Sequence, residues 1–345
     1  MTALLANQHL VLSIALFLLA AGVIAFFGIR MTYAARDLAA ATGMGEALTG
    51  ALFIGATTSL SGIIASATAA WHGEAGLAVS NSLGGIAAQT LFLVVADMLY
   101  RKTNLEFAAA SVENMMMSVQ LMILLCVLLI AFTLPDVSLF AVHPASFLLI
   151  VAYLFTLKLL VDTHERPMWL PRMSRGTVLE PNREPDMKKG HAKPGLFVDF
   201  AVCAAAVAIA GWLIAAAGMV IAERTGLSDG VVGGIFIAVV TSLPELVIAI
   251  TAIRMVSLTM AVGDIVGGNA LDTLFVAFSD FFYREGPIYA AVDPTEKVWL
   301  GTAMLMNAVL LMGLMYRERK GIANIGMESA LILVIYVGTV LYFIV

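Results

Sequence analysis

Ten apolar runs separated by polar connections divide the chain, at about 8–29, 47–71, 76–100, 112–134, 144–162, 195–222, 230–255, 259–283, 296–316 and 327–345. Apolar character around the whole helix circumference over 18 or more residues marks a helix embedded in lipid, not one lying on a soluble core. One span takes about 20 mostly apolar residues. The pattern therefore predicts ten transmembrane helices, five on either side of residues 163–194. That interval holds five of the ten prolines and seven of the nineteen Lys and Arg residues. It is a polar linker with too little apolar content to fold as a unit. The expected layout is an all-α polytopic membrane protein, with a first five-helix half over 1–162, a linker over 163–194 and a second five-helix half over 195–345.

Composition narrows the class. Of 345 residues, 61% are apolar and 12% charged, with a mean hydropathy of +0.96. A soluble domain is nearer half apolar and a quarter charged, so a soluble enzyme is excluded. A net charge of −5 argues against a nucleic-acid partner. Cys126 and Cys203 both lie inside apolar runs and imply no disulfide framework. The first run is long enough to stay as a span and is not expected to be a cleaved signal. With the linker placed in the cytoplasm, fifteen Lys and Arg residues fall inside and three, Arg224, Arg284 and Lys297, outside, while Lys158 lies within a span. The positive-inside rule then puts both termini outside a cell membrane.

The chain also repeats itself. Displacing it by 183 residues aligns 39–101 with 222–284 without a gap, and 22 of the 63 positions are identical. Thr58-Ser59-Leu60 falls on Thr241-Ser242-Leu243, Gly84-Gly85 on Gly267-Gly268, and Asp97 with Tyr100-Arg101 on Asp280 with Tyr283-Arg284. An odd number of spans per half turns one copy over, so the halves are expected to be inverted repeats. In secondary transporters built this way the substrate site lies near the midplane where the copies meet.

Pro244 is the one proline placed in mid-span. It cannot donate to the carbonyl of Val240, so a break with freed carbonyls is expected there. Thr241 and Ser242 precede it and Glu245 follows. Carbonyls, hydroxyls and a carboxylate within five residues are hard oxygen ligands of the kind Na⁺ or Ca²⁺ takes. A second acidic site lies in Gly263-Asp264-Ile-Val-Gly267-Gly268-Asn269-Ala-Leu-Asp272, where glycines allow close approach. Asp264 is expected to come towards Glu245, with Asp272 on roughly the same helix face. Their counterparts in the first copy are Asn81 and Gln89. Asp97 and Asp280, near span ends, are expected to be local ion pairs or interfacial anchors. Glu46 and Asp229 match at helix starts, where an acid favours the dipole, and Met115, Met116 and Met117 are expected to face lipid or pack in the core.

Thr241-Ser242-Leu243-Pro244-Glu245, followed by Gly263-Asp264 and Gly267-Gly268-Asn269-x-x-Asp272, resembles the second signature repeat of the calcium/cation antiporter superfamily, which includes the sodium/calcium exchangers. The ten-helix inverted layout extends the likeness to nearly the whole chain. The resemblance implies exchange of Ca²⁺ against Na⁺ or H⁺ by alternating access, with no enzymatic chemistry and no cofactor beyond the transported ions. It implies Glu245 as the principal cation ligand and Asp264 and Asn81 as paired ligands. Thr58, Ser59, Thr241 and Ser242 would supply hydroxyl and carbonyl oxygens. The first copy departs from the family pattern: Ser61 and Gly62 stand where Pro-Glu is expected, so one central carboxylate is missing, and Gly62, like Pro244, is expected at a helix break.

The midplane is expected to hold Glu245 and Asp264, with Asp272 a possible third; two carboxylates balance one Ca²⁺, two Na⁺ or two H⁺, which favours electroneutral exchange. The partners are then the bilayer and small inorganic cations. A monovalent Na⁺/H⁺-type exchanger needs fewer carboxylates and accounts for Gly62. A non-transporting, ion-sensing membrane protein is the alternative of a different class.

Overall fold

The computed structural model describes residues 10–42, 55–100, 102–109, 111–135, 137–139, 142–165, 168–169, 172, 194–319, 321 and 325–344. In the first half, α1 runs over Leu10–Thr42, α2 over Leu60–Trp71, α3 over Ala75–Leu99, α4 over Leu105–Ala108, α5 over Val112–Ala131 and α6 over Pro144–Glu165. In the second, α7 covers Pro194–Thr225, α8 Asp229–Thr241, α9 Leu243–Arg254, α10 Leu258–Asp272, α11 Leu274–Phe282, α12 Ile288–Ala291, α13 Lys297–Tyr316 and α14 Met327–Ile344. The protein is all-helical, and among the described residues eight helices are long and apolar enough to cross a membrane. The pair α8 and α9, bent by 45° at its break, makes a ninth. The span expected over 47–71 is described from residue 55 onwards. Glu46, Arg101 and most of the linker lie outside the described residues.

Helix bounds recur at the 183-residue offset well beyond the stretch where identities are dense. Leu60–Trp71 maps onto Leu243–Arg254, Leu105–Ala108 onto Ile288–Ala291, and the start of α6 at Pro144 onto the start of α14 at Met327. Contacts between the halves are reciprocal in the same numbering. Asp97 Oδ1 accepts the Leu105 N–H at 2.7 Å, and Oδ2 accepts the Gly326 N–H at 3.1 Å. Asp280 Oδ1 accepts the Ile288 N–H at 2.8 Å, and Oδ2 accepts the His143 N–H at 2.7 Å. Each acid thus ties its own half to the last helix of the other. Gly28 of α1 backs onto the Pro244 ring, and its counterpart Gly211 of α7 backs onto Ser61. A contact made once in each direction is the mark of a two-fold relation.

The sequence pattern predicts local ion pairs or interfacial anchors for these two acids. Instead, each takes two backbone N–H groups at helix starts that have no intrahelical partner, in a buried position where an unmet N–H is costly.

The centre belongs to α3 and the α10–α11 span, which are buried along most of their length. Small residues allow this. A Cβ on Gly84 would overlap the backbone of Gly234, and one on Gly233 would stand 2.7 Å from the Leu77 carbonyl oxygen. A π-helical turn over Val232–Ile237 lies in α8 at this contact. The outer helices α1, α6 and α14 expose many of their apolar side chains, including Leu18, Phe155 and Val334. That is the reverse of a soluble surface and suits contact with lipid tails. Met115, Met116 and Met117 are half-buried against the core.

Candidate cation site

Two helix breaks meet at the middle of the bundle. Ser242, with φ −95° and ψ 5°, interrupts the run from α8 to α9, and Ser59, with φ −80° and ψ 0°, does the same before α2. The backbone is therefore broken alike in both copies, although only the second contains a proline. Pro244 sits in the first turn of α9, where a missing N–H costs nothing. The carbonyl of Thr241 accepts the Ser61 hydroxyl at 3.1 Å. The first copy's serine thus satisfies an oxygen at the second copy's break.

Glu245 lies in the first turn of α9, buried, beside the Thr58 hydroxyl and within electrostatic range of Asp272. Its Oε2 has no hydrogen-bond partner. Asp272 is enclosed by both copies: Oδ1 accepts the Ser59 hydroxyl at 2.8 Å, and Oδ2 accepts Gln89 Nε2 at 2.6 Å. Gln89 Nε2 also donates to the Ser242 hydroxyl at 3.1 Å, and Ser82 donates to the Asp272 carbonyl at 2.7 Å. Gln89 and Asp272 occupy equivalent positions, as do Ser59 and Ser242. The knot is thus made from both copies of the same two positions, one of which has become charged. Gln89 Oε1 remains without a donor.

Other expected ligands divide into two groups. Asn81 donates to the Gly62 carbonyl at 3.2 Å and to Ser66 at 2.8 Å, while its Oδ1 accepts the Thr241 hydroxyl at 3.4 Å. It stitches α2, α3 and α8 together next to the breaks. Asp264 does not join Glu245 as expected. Its carboxylate pairs with Arg36 of α1 at 3.4 Å, and both side chains are about one-third exposed. The acid brought near Glu245 is Asp272.

Gly62, the counterpart of Glu245, is not at a break as expected but lies inside α2, after the break at Ser59, and faces a filled space. A Cβ there would collide with the ring of Phe275. Among the described residues no three His, Cys, Asp or Glu side chains converge as metal ligands. Carboxylate–hydroxyl–amide oxygens, not a cage of acids, make up the arrangement. Sequence reasoning passed over Ser61, Gln89 as the partner of Asp272, and the Arg36–Asp264 pair. The repeat offset marks Gln89, but nothing in the local pattern marks Arg36.

These features have a counterpart among known proteins. A sequence model of the sodium/calcium exchanger protein family matches residues 12–161 and 195–345. The chain belongs to the sodium/calcium exchanger family. This exchanger-family protein is 26% identical over 310 residues to a protein of Alkalimonas amylolytica whose name is "Putative antiporter CaxA", covering 90% of this chain and 91% of that one. It is 27% identical over 116 residues to the sodium/calcium exchanger MaX1 of Methanosarcina acetivorans, a third of each chain. Its fold resembles the structure of native YfkE, with a TM-score of 0.63, 17% identity and coverage of 99% and 98% of the two chains. It also resembles the sodium-calcium exchanger NCX_Mj, with a TM-score of 0.57, 17% identity and coverage of 96% and 99%. Family membership makes the protein a membrane transporter and not an enzyme.

Proposed function

We propose that this protein is a cation antiporter that exchanges Ca²⁺ against Na⁺ or H⁺ by alternating access, with Glu245 and Asp272 as its charged ligands. The observation that supports this most directly is the bare Glu245 Oε2 beside Asp272, at a point where both copies break their helices. A carboxylate oxygen buried at membrane depth without a partner is costly, and such acids mark ion pathways. Family membership and the names of the two relatives point the same way.

Ca²⁺ takes six to eight oxygens at flexible geometry. Glu245 and Asp272 would supply the charge, while Thr58, Ser59, Ser242, Asn81, Gln89 and the carbonyl of Thr241 would supply neutral oxygens. The metal would have to compete for Asp272 with Ser59 and Gln89, whose hydrogen bonds hold that carboxylate when no cation does. Two carboxylates balance one Ca²⁺, two Na⁺ or two H⁺. Arg36 offsets the charge of Asp264, so the count of two stands although its membership differs from the expected one. Exchange is then electroneutral, with Asp264 on the approach to the site rather than at its centre. The chain sits in the cell membrane with the linker in the cytoplasm, as the distribution of basic residues favours.

Ion flux into proteoliposomes tests this with Ca²⁺, Na⁺ and pH gradients imposed separately. Uptake unaffected by Glu245→Gln and by Asp272→Asn would remove the site. Strong voltage dependence would remove the two-carboxylate count. Flux of Na⁺ against H⁺ with no competition from Ca²⁺ would make the protein a monovalent exchanger.

A further inference from the structure

The reciprocal contacts of Asp97 and Asp280 are alike in their backbone bonds and differ in what surrounds them. At the Asp280 end, Ser146 donates to Oδ2 at 2.7 Å and shares a hydrogen bond of 3.0 Å with the Tyr289 hydroxyl. The Tyr289 ring packs against His143 and Phe132. At the Asp97 end the matching serine, Ser329, is fully buried beside the acid. The positions of Tyr289 and Ala145 are taken there by Glu106 and Glu328. A neutral hydroxyl and a methyl have been replaced by two acids, each 1% exposed.

The two carboxyl groups lie within electrostatic range of each other and of Asp97. A hydrogen bond between two such groups needs a proton on one of them, because two carboxylates have four acceptors and no donor. Glu106 Oε2 and Glu328 Oε1 have no hydrogen-bond partner, nor has Nδ2 of the fully buried Asn104. Both Glu328 Oε1 and Asn104 Nδ2 line the space beside Gly326, the residue whose N–H is held by Asp97.

We propose that Glu106 and Glu328 form a proton-binding site that fastens the start of α14 to the loop between α3 and α5, and that loses its grip when the proton leaves. It is separate from the midplane carboxylates and does not depend on which ions they carry. Burial pushes Glu106 well above the ordinary carboxylate range, and the negative charges of Asp97 and Glu328 push it the same way. Neighbouring elements present few other charges to it. Besides Asp97 on α3 and Glu328 on α14, Glu318 accepts the Met327 N–H at 2.9 Å at the start of α14, and the end of α13 presents Arg317, whose guanidinium donates to the carbonyls of Phe107 and Arg172 and stacks over the Phe107 ring at 5.1 Å. On α10, which also touches α4, Asp264 faces Arg36 and Asp272 belongs to the midplane knot.

The sign follows from linkage. An acid whose folded-state pKa is raised stabilises the fold below its unfolded value, and that contribution disappears as pH rises through the folded value. The fastening therefore holds in acid and loosens in alkali.

Infrared titration and thermal melts of the full-length protein in detergent test the proposal without any transport assay. The wild type should show a protonated-carboxyl stretch at neutral pH that is lost in both Glu106→Gln and Glu328→Gln but kept in Glu245→Gln. Its melting temperature should fall as pH rises, and Glu106→Gln should flatten that fall. The proposal is overturned if the wild type has no such band, if the band survives both substitutions, or if the slope is unchanged in Glu106→Gln. Should Glu106→Gln not fold, the wild-type titration and Glu328→Gln decide the matter alone.

Discussion

Glu245 and Gly62 occupy equivalent positions in the two copies, yet their surroundings have diverged as far as their side chains. Around Glu245 there is a hydroxyl, a second acid and an uncontacted oxygen. Around Gly62 there is the Phe275 ring. Glu245→Gln keeps shape and removes charge, so exchange should fall by at least about a hundredfold in a flux assay while the melting temperature changes little, since a ligand bond to a charged group is worth about 1.5–3 kcal/mol. Asp264→Asn should cost much less, because that acid faces Arg36. Gly62→Glu, an attractive way to restore a missing ligand, should instead destabilise by about 1–3 kcal/mol through overpacking. Combining it with Phe275→Ala should recover part of that loss, measured by thermal unfolding. The acidic positions are visible in the chain as written. Which acid neighbours which is not, because Asp264 and Asp272 share a helix and only the packing of α1 and α3 sorts them.

Element by element, the turn joining α9 to α10 repeats the one joining α2 to α3. Met255 N–H donates to Thr251 and Ser257 N–H to Ala252, as His72 N–H does to Thr68 and Glu74 N–H to Ala69. The left-handed position is Gly73 in one and Val256, at φ 60°, in the other. A β-branched residue there is strained. Val256→Gly should therefore raise stability by about 1 kcal/mol, seen as a higher melting temperature. A second comparison concerns the break. Pro244 drew attention in the sequence because a mid-span proline disrupts a helix. Since the Ser59 break has similar backbone angles without a proline, Pro244→Ala should leave the break in place and retain exchange. Ser61→Ala, which frees the Thr241 carbonyl, should cost about 1 kcal/mol. Periodicity located the spans well because lipid demands apolar helices. It could not show the breaks, since serine is unremarkable in a small-residue helix.

At the scale of the molecule, the offset of 183 residues organises everything described, from helix bounds to single hydrogen bonds. Duplication was legible over 39–101 because identities persist there. Beyond that stretch the geometry has outlasted the identities: Gly326 and His143 share no chemistry, yet both donate their N–H groups to equivalent acids. Backbone donors are indifferent to side chain, which explains why this correspondence cannot be seen in the residues. Asp280→Ala should unsettle the fold by about 2–4 kcal/mol, since it strands two buried N–H groups and the Ser146 hydroxyl. Thermal melts that leave this variant as stable as the wild type would show that the reciprocal contacts are dispensable.

The Phe275 ring over Gly62 also bears on descent. Phe275 is matched by Phe92 in the other copy, so if the ancestral copies were alike the ring predates the loss of the carboxylate and has since settled into its space. A single mutation back to glutamate now meets that ring, and a single mutation that removes the ring leaves a hole beside a glycine. Either first step is worse than no step. The asymmetry between the halves therefore acts as a ratchet: the chain can explore new ion chemistry around Glu245 and Asp272 far more readily than it can return to a balanced pair of acids.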